Sequence, residues 1–266
     1  MLRPMTNDPH ANTGRLVWYE LLTTDPKAAI AFYSEVIGWK TELFGADYTM
    51  WVGAQGPLGG VGVLPEAARK MGARPYWQMN VQVANVDETI EQIKKLGGQI
   101  YVIEEVPTVG RFAVIADPQG AVITVFTPAA AMNAHDSARP GEFSWHELYT
   151  TDHEAAFTFY SAIAGWQRLG AFDMGPMGTY LLWGREGQQL GGMMTMPPGM
   201  VAPDGGKLPP GWLCYVTTDD LDAALARATA RGARVMNGPL DVPGGQRIVQ
   251  LLDPQGAAFA LVTPPR

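Results

Sequence analysis

The sequence predicts an α+β protein made of two tandem copies of one domain, each copy holding two strand–helix–three-strand units. Three observations predict it. The stretch GRLVWYELLTTDPKAAIAFYSEVIGW (Gly14 to Trp39) returns as GEFSWHELYTTDHEAAFTFYSAIAGW (Gly141 to Trp166). The echo continues through DYTMW (Asp47–Trp51) and GTYLLW (Gly178–Trp183), Gly59-Gly60 and Gly191-Gly192, Trp77 and Trp212, then ADPQGA (Ala116–Ala121) and LDPQGA (Leu252–Ala257). Within each copy, alternating β-rich stretches flank segments of helical period.

The elements follow in order. Leu16–Thr23 alternates as a half-buried strand does. Asp25-Pro26 is an N-cap followed by proline at the first helical position, and Ala29, Phe32, Tyr33 and Val36 form one apolar helix face ending at Gly38. Short strands occupy Lys40 to Leu64. The second unit repeats the order: strand Trp77–Val83, helix Asp87–Leu96 with Val86, Ile90, Ile93 and Leu96 on one face, and a Gly97-Gly98 cap. Strands near Ile100–Ile103, Ala113–Ile115 and Ala121–Phe126 complete it, with DPQG turning into the last. The matching second helix of the other copy is Asp220–Arg231. The domains are therefore expected at 14–128 and 141–264, with a disordered start at 1–13 and an Ala/Pro-rich linker at 129–140. Met193–Pro210 reads as a loop over one cleft mouth.

Bulk properties narrow the classes. The 266 residues carry a net charge of −7 and one cysteine, Cys214. Without a Lys/Arg cluster, nucleic acid is not the expected partner. No apolar run approaches ~20 residues, so no membrane span is expected. The start lacks an apolar signal region, and a lone cysteine suits a reducing compartment, so a cytoplasmic protein is expected.

Strand parity sets sidedness. In Tyr76–Val83, Trp77, Met79, Val81 and Val83 should face the helix, leaving Tyr76, Gln78, Asn80 and Gln82 opposite. Two readings stay open for that polar face: a solvated outer surface, which a lone antiparallel sheet favours, or a ligand-accepting concavity.

The pattern TTDPxxAxxFYxxxxGW, a second strand and helix ending in glycine, and DPQG before a final strand resembles the vicinal oxygen chelate superfamily, which includes glyoxalase I, extradiol dioxygenases and bleomycin resistance proteins. The resemblance covers Gly14–Pro128 and Gly141–Pro264, and looks closest to tandem-domain bacterial proteins labelled glyoxalases or hydroxylases. It implies that each sheet curls into a U-shaped cleft and, for the superfamily's enzymes, that a divalent metal at the cleft floor acts as a Lewis acid. It also implies ligand positions: a His on the first strand, a His or Gln on the strand opening the second unit, and a Glu on the last. Counting from Asp25, Asp117 and Asp253 places Trp18, Gln78 and Thr124 there in copy one, and Trp145, Leu213 and Ala260 in copy two. Trp, Leu and Ala cannot coordinate a metal, so no cofactor is expected. A one-residue shift would bring His146 to the first position.

Other candidates lie beside these positions. Glu20 and Glu147, two residues beyond the tryptophans, point the same way; either they serve as general base or ligand anchor, or they pair with Arg111 and Arg247. Trp18 and Trp145 either stack a planar ligand or plug the core. Gln78, Asn80 and Thr124 give copy one a more polar cleft than Leu213, Tyr215 and Ala260 give copy two. His146 and Cys214 should be buried and structural; His10, His135 and His153 are poorly placed for chemistry. The function expected is a small-molecule binding protein or metal-independent enzyme of detoxification or secondary metabolism. The alternatives are a metal-dependent glyoxalase-like lyase or dioxygenase, and a regulatory interaction scaffold. The internal duplication favours a monomer.

Overall fold

The computed structural model describes residues 10–45, 48–132, 139–201, 205–206 and 208–264. The first nine residues and His135 lie outside it; residues 10–13 form a turn in which Thr13 N donates to His10 O at 3.0 Å. Copy one runs β1 (Leu16–Thr23), α1 (Pro26–Val36), β2 (Lys40–Phe44), β3 (Tyr48–Gly53), β4 (Gly56–Val63), a short α2 (Glu66–Lys70), β5 (Tyr76–Gln82), α3 (Val86–Lys95), β6 (Gln99–Val106), β7 (Gly110–Ala116) and β8 (Val122–Pro128). Copy two runs β9 (Phe143–Thr150), α4 (His153–Ala164), β10 (Gln167–Asp173), β11 (Thr179–Arg185), β12 (Gln188–Thr195), β13 (Gly211–Thr217), α5 (Leu221–Ala230), β14 (Arg234–Asp241), β15 (Arg247–Leu252) and β16 (Ala258–Val262). The strand orders are β2-β3-β4-β1-β5-β8-β7-β6 and β10-β11-β12-β9-β13-β16-β15-β14. Each module closes on a parallel pair, β1 with β4, β5 with β8, β9 with β12 and β13 with β16.

The expected elements are present, with three corrections. Helix α2 carried no periodic apolar signal and buries nothing. Met193 and Met194 belong to β12 and are buried, so the irregular segment begins only after Thr195. Leu96 is the C-cap of α3 and 38% exposed; Thr89 takes its place on the buried face.

Compactness does not follow the sequence copies. One compact unit comprises residues to Val17, Met79–Ala134 and His146–Trp212; the other comprises Trp18–Gln78, His135–Trp145 and Leu213–Arg266. Each unit thus combines one module from each copy.

The repeated motifs explain this grouping. In the unit containing α1, the FY tyrosine, Tyr33, donates to Asp253 Oδ2 of the other copy's DPQG turn at 3.2 Å and accepts from Trp77 Nε1 at 3.0 Å. In the unit containing α4, Tyr160 donates to Asp117 Oδ2 at 3.1 Å and accepts from Trp212 Nε1 at 3.2 Å. Each aspartate's Oδ1 takes backbone N–H groups of its own turn, from Gln119 and Ala121 or from Gln255 and Ala257. The GW tryptophans do the same job: Trp39 Nε1 donates to Gly141 O, and Trp166 Nε1 to Gly14 O. Burial raises both aspartates, and more strongly the two tyrosines, above their usual pKa ranges. The aromatic rings pack around these bonds, with Trp166 stacked on Trp183 at 3.8 Å and Tyr19 on Phe143 at 3.8 Å.

The two units are not equal. Gln255 Oε1 accepts from Thr23 Oγ1, from Thr24 Oγ1 at 3.0 Å and from Asp25 N at 2.7 Å. The corresponding Gln119 Oε1 and Thr150 Oγ1 are buried without a hydrogen-bond partner among the described residues. Gln255→Ala should therefore destabilise the fold by about 1–3 kcal/mol, the cost of leaving such donors unmet. Gln119→Ala should cost less, as compared by urea denaturation of the two variants.

Candidate functional site

Glycine makes the site possible. Strand β4 lies parallel to β1 with Glu20 opposite Gly60, and a Cβ at Gly60 would stand 1.9 Å from the Tyr48 hydroxyl. The Gly60 position admits the Tyr48 ring, which hydrogen-bonds Glu20 and accepts from Trp18 Nε1 at 3.1 Å. With its lone pair engaged by the indole, the Tyr48 hydroxyl directs its proton at the carboxyl. Tyr76, at the start of β5, also senses the Glu20 charge and donates to Gln78 Oε1 at 2.8 Å. Trp18, Glu20, Tyr48, Tyr76 and Gln78 thus form one polar–aromatic cluster within one compact unit.

Its electrostatics follow from burial. Desolvation raises Glu20 above its usual carboxyl value, against the lowering effect of the Tyr48 bond. Tyr76 is pushed up to about 12 by burial and then by Glu20, and Tyr48 is raised for the same two reasons. The carboxyl holds its proton unusually well and lies among phenols that stay protonated.

Copy two carries a related arrangement in the other unit. Glu147 pairs with Gly192, whose Cβ would stand 2.0 Å from Tyr180 Cζ. Tyr180 donates to Glu147 Oε1 at 2.7 Å and Tyr149 to Oε2 at 2.9 Å. Elsewhere in copy two, Gln250 Nε2 donates to Tyr215 Oη at 2.6 Å, and Tyr215 pairs with Ala260 across β13 and β16. Trp145 is half-buried on β9, and Leu213 is buried.

The polar face of β5 is not a solvated outer surface. Gln78 is 4% exposed, Asn80 9% and its cross-strand neighbour Thr124 2%. The arginines correct a second expectation. Arg111 binds Asp87 at 2.7 Å and Glu105 at 3.6 Å, and Arg247 binds Asp222 at 2.8 Å, so both clamp helix starts instead of the strand glutamates. His146 turns away from the ligand position, with Nδ1 2.8 Å from Leu190 O. Cys214 is buried, its thiol raised by desolvation. A surface cavity at the ends of α1 and α5 contains none of the cluster; Arg227 Nη2 donates there to Val36 O at 3.0 Å. Sequence reasoning missed Tyr48, Tyr180, Tyr149 and Gln250 as site residues. Tyr48 and Tyr180 each stand three residues before the repeated tryptophans Trp51 and Trp183, a signal available in the repeat itself.

A family model described as Glyoxalase/Bleomycin resistance protein/Dioxygenase superfamily matches residues 142–261, and one described as Glyoxalase-like domain matches residues 18–126. The chain belongs to this superfamily, the vicinal oxygen chelate proteins. Relatives include "Putative glyoxylase CFP32" of Mycobacterium bovis, 29% identical with 93% of this chain and 94% of that protein aligned. "Anthracycline biosynthesis protein DauV" of Streptomyces sp. strain C5 is 29% identical over 94% of this chain and 93% of its own. Among solved structures, the Mn(II)-bound glyoxalase from Novosphingobium aromaticivorans aligns with a TM-score of 0.64 at 15% identity, covering 96% of this chain and 83% of that one. A variant of homoprotocatechuate 2,3-dioxygenase from B. fuscum aligns at 0.65 and 18%, covering 95% and 72%. These structures share the fold.

The superfamily's metal does not fit the donors present. Among the described residues no group of three or more His, Cys, Asp or Glu side chains could hold a metal ion. Indole and alkyl side chains at Trp18, Trp145, Leu213 and Ala260 offer no ligand atom.

The raised Glu20 has a signed consequence. The folded state binds this proton more tightly than the unfolded chain, so the Glu20 contribution is fully present below the ordinary value of 4.5 and is lost as pH rises through the folded value. Glu20→Gln, which still accepts from Tyr48, should therefore gain stability relative to wild type as pH rises from 4.5 to neutrality. Denaturant titrations at a series of pH values measure this difference.

Proposed function

We propose that the chain binds a planar, oxygen-bearing small molecule at the Glu20 cluster without a metal ion, as a binding protein or metal-independent enzyme of detoxification or secondary metabolism. One observation carries the reading: a desolvated carboxyl, hydrogen-bonded by Tyr48 and shifted toward its protonated form, sits among two phenols and an indole, beside the position where the superfamily resemblance places a metal ligand. Glu20 offers a hydrogen-bonding carboxyl to an oxygen-bearing ligand; Trp18 offers an aromatic surface for stacking. Gln78, held by Tyr76, adds an amide. The anthracycline biosynthesis names of DauV and of DnrV of Streptomyces peucetius lend support to a fused-ring, quinone-like ligand.

Two measurements test this. Metal analysis by plasma mass spectrometry of protein purified without chelator should find far less than one equivalent per chain. A stoichiometric metal, with function lost on chelation, would overturn the reading in favour of a metal-dependent lyase or dioxygenase. Titration with quinizarin, a planar hydroxyquinone, should quench tryptophan fluorescence saturably. Trp18→Ala should weaken that binding about tenfold, the equivalent of roughly 1.4 kcal/mol of stacking.

A further inference from the structure

We propose that the two copies have divided their roles: Glu20 meets the ligand, whereas Glu147 is a locked structural carboxylate, and the residue pairs Leu22/Gly62 and Tyr149/Met194 decide which is which. The inference rests on the ligand site proposed above and goes further by assigning a single working site per chain.

The two glutamates share a framework. Each lies opposite a glycine that admits a tyrosine, Tyr48 or Tyr180, to the carboxyl. They differ at the next outward-pointing strand position, two residues on. In copy two it is Tyr149, whose hydroxyl fills Glu147 Oε2 while Tyr180 fills Oε1. In copy one it is Leu22, which has no hydroxyl to give.

The neighbouring strand differs in the same sense. Leu22 pairs with Gly62, and Tyr149 with Met194. A Cβ built on Gly62 would lie 3.7 Å from both Glu20 Oε1 and Leu22 Cδ2, ordinary contact distance, so glycine leaves room directly against the carboxyl. Met194, at the equivalent position, is buried. Copy one therefore keeps an approach to its acid; copy two fills the approach with a side chain and both carboxyl oxygens with phenols. The backbone at Gly62 does not adopt a positive φ, so a larger residue is compatible with it.

The test is labelling of the ligand-free chain with dicyclohexylcarbodiimide, an apolar reagent. The carboxyl proton passes to a carbodiimide nitrogen and a carboxyl oxygen bonds to the central carbon, giving an adduct that peptide mass spectrometry locates. The Glu20 peptide should carry at least tenfold more adduct than the Glu147 peptide, and Gly62→Met or Leu22→Tyr should abolish that excess in variants whose melting shows them folded. Equal labelling of the two glutamates, or labelling of Glu20 indifferent to both substitutions, would overturn the division. Quinizarin titration separates this inference from the reading beneath it. One saturable site per chain, lost in Gly62→Met, supports both, and two equivalent sites overturn the division. Asymmetric labelling without quinizarin binding upholds the division and removes the planar-ligand reading.

Discussion

A phenolic hydroxyl between an indole and a carboxyl is the interaction on which the rest of this structure depends. Tyr33 of α1 and Tyr160 of α4, both buried, accept a hydrogen bond from Trp77 or Trp212 and donate one to Asp253 or Asp117 of the opposite copy. Those aspartates also organise the DPQG turns that lead into β16 and β8. A buried carboxyl without these donors would carry a large desolvation cost. The bond therefore fixes helix, strand and turn together and ties one copy to the other. The two glycine–tryptophan bonds, Trp39 to Gly141 and Trp166 to Gly14, reinforce the same pairing.

With that framework duplicated, each copy is free to differ where the framework does not reach. The strand faces opposite the helices carry the differences. Copy one places Gln78, Asn80 and Thr124 in burial, and sets Glu20 beside Tyr48 and Tyr76. Copy two closes its acid with two tyrosines, and joins Tyr215 to Gln250. Duplication followed by unequal filling leaves the two strand glutamates in different surroundings.

Fold and donor set are separable here. The superfamily fold is shared with glyoxalase and dioxygenase structures at TM-scores of 0.64 and 0.65, yet identity is 15% and 18%. Sheet architecture is maintained by apolar alternation, which many different side chains satisfy, together with the DPQG turn. A metal site depends on three particular atoms at one point, and of the six positions the resemblance assigns only Gln78 carries a ligand of the family's kind; the others hold indole, hydroxyl or alkyl groups.

The sequence alone determined the repeat, the module order and nearly every strand and helix, because alternation, N-caps and glycine turns act over a few residues. It also placed Trp18, Glu20, Gln78 and Thr124 on common faces, since strand parity is local. It did not decide the partners of those side chains. Arg111 and Arg247 pair with Asp87 and Asp222 at the starts of α3 and α5, a pairing that strand parity does not reveal. Tyr48 and Tyr180 reached the glutamates because Gly60 and Gly192, distant in sequence, withheld their Cβ atoms. Nor did the repeat disclose that compact units mix the copies, because the Tyr33–Asp253 and Tyr160–Asp117 bonds span 220 and 43 residues. Local pattern specifies elements; burial and proximity, which only the folded chain creates, specify which polar atoms meet.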